Sequence, residues 1–153
     1  MLKAVLFDLD DTLLDWSGFN NNWPALERKH LSGVFSYISS EIQPLDDFDA
    51  YCAEFGNRML SAWTDARTTM RAPNLGTVLV ETSVAAGVPA EALDPRRCLD
   101  AYRWDAIPGT TLFPEVPETL TLLRQHGLKI GIVTNAHQPM WIRDIEIQAH
   151  GIY

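Results

Sequence analysis

The chain predicts an α/β fold in which two parallel strands are separated by a long helical insert. Two observations carry this prediction. Ala4-Val5-Leu6-Phe7 and Lys129-Ile130-Gly131-Ile132-Val133 are short, largely apolar runs, followed by Asp8-Leu9-Asp10-Asp11-Thr12 and by Thr134-Asn135. Apolar runs of that length bounded by turn-prone residues read as buried strands, here around 3–8 and 129–134. Between them, apolar residues recur at helical spacing over far more chain than one crossover helix needs.

The first strand delivers two carboxylates, Asp8 and Asp10, to its C-terminal end, where open α/β sheets hold their ligands. A turn at Leu9-Asp10 lets both converge. Carboxylates that close repel, so a cation is expected beside them. A metal-held carboxylate can act as nucleophile and its neighbour as proton shuttle. An EF-hand loop starting at Asp8 fails, with Leu13 at its sixth position and Phe19 at its twelfth.

The insert is placed at 16–108. Trp23, Leu26, His30, Leu31, Val34, Phe35 and Ile38 fall on one helical stripe, with Pro24 suited to a first turn. Phe48, Tyr51, Cys52, Phe55, Met59, Ala62 and Trp63 make a second. Leu75, Val78, Leu79 and Thr82 start a third, which Gly87 can end as a left-handed cap. Residues 95–104 give a weaker fourth. Four such helices form a small bundle. Pro108-Gly109-Thr110-Thr111 reads as a linker back to the core. Val116, Leu120 and Leu123 mark a helix ending at His126-Gly127. A last helix is expected over 138–150, with Met140, Ile145 and Ile147 among its apolar positions. The α/β core is thus assigned to 1–15 and 109–153.

At 153 residues this is one domain, or a small core with an inserted module. Twelve basic residues against twenty acidic ones, a net charge of −8, argue against nucleic acid or an anionic membrane surface as partner. Cys52 and Cys98 lack metal-ligand spacing and read as small core residues in a reducing compartment, with one disulfide left open. The N-terminus carries no signal-peptide pattern and no run reaches membrane-spanning length, so a cytoplasmic protein is expected. His30, His126, His137 and His150 share no spacing and read as surface or cap residues. Trp16, just past the Asp-rich turn, is a candidate lining for a substrate pocket.

The string D-x-D-x-T-L after an apolar strand, followed much later by a second strand ending in Thr134-Asn135, resembles the first two motifs of the haloacid dehalogenase superfamily of phosphotransferases. The resemblance implies a partial Rossmann-like core with an inserted helical-bundle cap. It implies Asp8 as the nucleophile that forms an aspartyl-phosphate, and Asp10 as general acid and base. Thr134 and the Asn135 backbone N–H would hold the phosphoryl group. Magnesium would sit on the Asp8 carboxylate and the Asp10 carbonyl, and the substrate would be a small phosphorylated metabolite. An acid at Asp10 favours phosphate-ester hydrolysis over carbon–halogen cleavage. Taken alone, Thr134-Asn135 reads as a helix N-cap after a strand; its pairing with Asp8 and Asp10 turns the reading to phosphate binding.

The superfamily's later motifs, a Lys or Arg and then an acidic pair after a strand, have no counterpart here. Lys129 precedes Thr134, and Asp144 and Glu146 fall in the expected last helix. Magnesium is therefore expected to be weakly bound or absent. An alternative function is a catalytically incomplete, complementing module. With only two strands expected, the edge of the first should be covered by a second copy of the chain or by a complementary polypeptide.

Overall fold

A computed structural model describes residues 2–152. The element order is β1 (Ala4–Phe7), β2 (Leu14–Asp15), α1 (Trp23–Glu41), α2 (Phe48–Thr69), α3 (Leu75–Ala85), α4 (Pro95–Tyr102), β3 (Thr111–Leu112), α5 (Val116–Gln125), β4 (Lys129–Ile132) and α6 (Met140–Ala149). The chain divides into two compact units. One, an α/β unit, comprises residues 1–21, 105–135 and 144–153; the other, mostly helical, comprises 22–104 and 136–143.

In the α/β unit β1 and β4 pair in parallel, Phe7 opposite Ile132. Phe7, Ile130 and Ile132 turn one face of this sheet onto a core of Leu9, Leu13, Leu14, Val116, Leu120, Ile147 and Ile152. On the other face Leu6 lies opposite Gly131, with a Cβ there closing to 2.6 Å from the Leu6 side chain. Leu6 is 68 % exposed and Val133 61 %. A second, two-residue antiparallel pairing joins β2 to β3, Leu14 opposite Leu112. Sequence reading treated β3 as linker, because two-residue strands leave no periodicity to detect. The close approach of Gly18 to Gly109 sits beside this pairing and leaves no room for a Cβ at either position.

In the helical unit α1 packs on α2 and α4, and α3 packs on α2 and α4, so the four helices close on one another. Their starts are set by side-chain caps: Asn22, Asp47, Asn74 and Asp94 each accept a bond from a first-turn backbone N–H. Leu31, Val34 and Ile38 are buried on α1, as expected, together with His30, but Trp23 at its first position is 45 % exposed. In α6 the stripe is also shifted. Ile142, Arg143, Glu146 and Ile147 are buried, whereas Met140 and Ile145, expected inward, are exposed.

The segment 136–143, assigned from sequence to the α/β core, groups with the helices. Its contacts explain why. The His137 ring meets Trp63 and Trp104 edge-on at 6.1 and 6.5 Å, its carbonyl accepts from Leu75 N–H, and the Arg96 guanidinium stacks 3.7 Å above Trp141. The helical unit likewise runs from 22 to 104 rather than 16 to 108.

Candidate active site at the ends of the parallel strands

β1 ends at Phe7 because the chain turns sharply there. Leu9 is fully buried, and Leu13 and Leu14 follow it into the core. The Leu9 carbonyl accepts from Leu13 and Leu14 N–H, and Asp11 N–H donates to the Leu14 carbonyl at 2.9 Å. Closing this loop puts Asp11 at φ +56°, a left-handed conformation that Asp tolerates better than most residues. Asp11 is thus the residue whose backbone turns the loop. With Leu9 anchored inward, Asp8 and Asp10 lie on either side of it.

Asp8 is exposed, and its Oδ1 accepts the following Leu9 N–H at 2.9 Å. Asp10 is half-buried and held at both oxygens. The Trp16 indole N–H donates to Oδ1 at 3.2 Å, and the Thr134 hydroxyl donates to Oδ2 at 3.3 Å. Trp16 is therefore a partner of Asp10, a role the sequence did not reveal; its only signal was its place a few residues past the motif.

The partner strand brings the other two residues. Val133 N–H donates to the Phe7 carbonyl at 2.8 Å, so Thr134 leaves β4 beside Asp8. Asp8, Thr134 and Asn135 line one hollow of about 300 Å³ with Phe7 and Val133. The Thr134 hydroxyl donates to Asp10 Oδ2. Occupation of the hollow by an anion would require this hydroxyl to change acceptor.

The other histidines and cysteines have structural surroundings. His30, expected at the surface or a cap, is buried, with Nδ1 2.9 Å from the Tyr102 carbonyl. Its apolar neighbours on the α1 stripe carry it inward. His150 Nε2 lies 3.1 Å from the Thr110 hydroxyl. Burial, then the positive charge of Arg143, pushes the His137 pKa down to about 4. Both cysteines are free thiols, and burial pushes Cys98 up to about 11. Among the described residues no helix is long and apolar enough to cross a membrane.

The chain, with D-x-D following β1 and Thr-Asn following β4 at the same end of the parallel pair, matches the family haloacid dehalogenase-like hydrolase over residues 2–152. The chain belongs to that family. It is 30 % identical to a phosphoglycolate phosphatase of Salmonella typhimurium over 146 residues, 90 % of this chain and 53 % of that protein. The chain thus spans about half the length of this curated relative. Similar solved structures include an L-2-haloacid dehalogenase from Xanthobacter autotrophicus with chloropropionic acid covalently bound (18 % identity, 99 % of this chain, 53 % of that one, TM-score 0.40). A phosphoglycolate phosphatase predicted in Haemophilus somnus 129pt shares 20 % identity over 99 % of this chain and 58 % of its own, with a TM-score of 0.38.

Proposed function

We propose that this hydrolase cleaves small phosphate monoesters through a phosphorylated Asp8, with Asp10 as general acid and base. The observation that carries the reading is the division of labour between the two carboxylates. Asp8 faces the hollow shared with Thr134 and Asn135, while Asp10 is held by Trp16 and Thr134. An exposed carboxylate lining an anion-sized hollow, its Oδ1 accepting the Leu9 N–H, suits attack at phosphorus. A carboxylate held by the Trp16 indole N–H, and still held when the Thr134 hydroxyl turns to a phosphoryl oxygen, suits proton transfer, which depends on position first. Asp8 attacks phosphorus, and the phosphorus–oxygen bond to the leaving group breaks as Asp10 protonates that oxygen. Asp10 then takes a proton from water, which attacks the aspartyl-phosphate and restores Asp8. Thr134 O–H and Asn135 N–H donate to the phosphoryl oxygens, whose spread charge needs such donors.

Among the described residues no three His, Cys, Asp or Glu side chains converge to hold a metal. The donors at hand, the Asp8 carboxylate and the Asp10 main-chain carbonyl, are hard oxygens of the kind magnesium takes, and magnesium keeps waters elsewhere. These two residues would hold it, and it would neutralise phosphoryl charge. With so few anionic ligands, calorimetry should give a dissociation constant weaker than micromolar.

A generic phosphatase assay with Mg²⁺ compares wild type with Asp8→Asn. Phosphate release by wild type that falls about 10³-fold or more in the variant is expected for loss of a nucleophile. Equal rates reject the reading. The open sheet face at Leu6 and Val133 favours a second reading, in which the chain supplies this half of the site to a further polypeptide or second copy that covers β1. Sedimentation separates the two: a monomer at all concentrations removes self-association.

A further inference from the structure

We propose that the groove between α1 and α4 in the helical unit is a binding site for a small phosphate ester, built from residues other than those around Asp8. The groove has a volume of about 870 Å³ and is lined by three cations, Lys29, Arg97 and Arg103. None of the three takes part in a salt bridge among the described residues, whereas Arg28, Arg58 and Arg96 of the same unit are each paired with a carboxylate. In a chain of net charge −8, three unpaired cations along one concavity are the arrangement an anion would complete.

The helix packing puts two of them at one end. His30 Nδ1 lies 2.9 Å from the Tyr102 carbonyl, and the two rings stack at 4.8 Å. Lys29 and Arg103 are the chain neighbours of this pair. Arg103 sits in a left-handed conformation, φ 52° and ψ 62°, immediately after α4, which is costly for a residue other than Gly, Asn or Asp. That conformation ends α4 with a guanidinium at the groove rather than with a neutral cap. In the middle, α1 and α4 touch so closely that any Cβ on Gly33 would collide with the Ala101 carbonyl, and this contact forms the floor.

The other end differs in character. Ser36, Tyr37 and Ser40 of α1 offer hydroxyls there, beside Arg97, and Glu41 adds a carboxylate. The Asp100 carboxylate is committed to Arg96 Nε at 3.3 Å. The ligand that fits carries phosphate at the Lys29–Arg103 end and hydroxyl donors at the Glu41 end. A polyol phosphate has that chemistry, and a polyanion extending over Glu41 does not.

The test is titration of the full chain with glycerol 3-phosphate, with glycerol as control, followed by amide NMR. Saturable shifts at residues 29–41 and 97–103, absent with glycerol and separate from any shifts around Asp8 and Thr134, are expected. The double variant Lys29→Gln, Arg103→Asn should weaken binding about tenfold or more, as loss of charge-assisted bonds does. Asn keeps the left-handed position available. Arg97→Gln gives a second reading that does not touch that position. The affinity read from the shifts of residues 29–41 and 97–103 should be the same in Asp8→Asn, so this test and that of the phosphatase reading fail separately. No saturable shift at residues 29–41 and 97–103, an equal response to glycerol there, or undiminished affinity in both charge variants overturns the site.

Discussion

The two units of the chain solve the burial problem differently. Four helices of the helical unit close on one another, and their inward residues, such as Leu31, Val34, Ile38, Phe55 and Leu79, are almost wholly buried. The α/β unit buries only one face of its parallel pair, leaving Leu6 and Val133 largely exposed on the other. A parallel sheet normally has both faces covered. The lesson is that the residues with the sharpest chemical signature lie in the unit with the thinner core, so fold stability and site chemistry can be perturbed independently.

The largest expected contrast is between Phe55 and Leu6. Phe55 is 0 % exposed in α2, so Phe55→Ala should cost about 3–5 kcal/mol. Leu6→Ala should change stability by about 0.5 kcal/mol or less, as exposed positions do. Urea unfolding of the two variants checks the pair; similar midpoints would mean that the sheet face is covered in solution.

His137 gives the next effect, within the helical unit. Its folded pKa of about 4 lies below the ordinary 6.5, so the unfolded chain takes up the extra proton first. Stability is therefore full above pH 6.5 and falls as pH drops toward 4, by up to about 3 kcal/mol. Midpoints at pH 7 and pH 4.5 should separate clearly in wild type and less in His137→Phe, which keeps a ring against Trp63 and Trp104. The same separation in both proteins would assign the pH response elsewhere.

Asp11 supplies the smaller, matching test in the α/β unit. Asp11→Val forces a β-branched residue to φ +56° and should cost about 1–3 kcal/mol. Asp11→Gly should stay within about 1 kcal/mol of wild type, since glycine accepts that conformation freely. Thermal midpoints of the two variants decide; equal losses would show that the Asp11 side chain, not its backbone, matters.

These contrasts also explain what was legible in the sequence. The helices of the insert could be read because amphipathic stripes are local, and α2 keeps Tyr51, Phe55 and Met59 inward as its spacing predicts. The pairing of β1 with β4 followed from two apolar runs. The β2–β3 pairing did not, because each strand has two residues and its partner is far away in sequence. The placement of 136–143 with the helices was equally hidden. It depends on His137 and Trp141 meeting Trp63, Trp104 and Arg96, contacts that no local period encodes. At the site, Asp8, Asp10, Thr134 and Asn135 were visible as a motif. The Trp16–Asp10 bond was not, since the side-chain direction of a loop tryptophan is set by tertiary packing.

Rapid quenching of the chain with acetyl phosphate and Mg²⁺, followed by peptide mass spectrometry, tests directly whether Asp8 becomes phosphorylated. One acid-stable, base-labile phosphoryl group is expected on the peptide containing Asp8, absent from Asp8→Asn and longer-lived in Asp10→Asn. No phosphoryl group on the wild-type chain, or one that persists in Asp8→Asn, would contradict phosphorylation at Asp8.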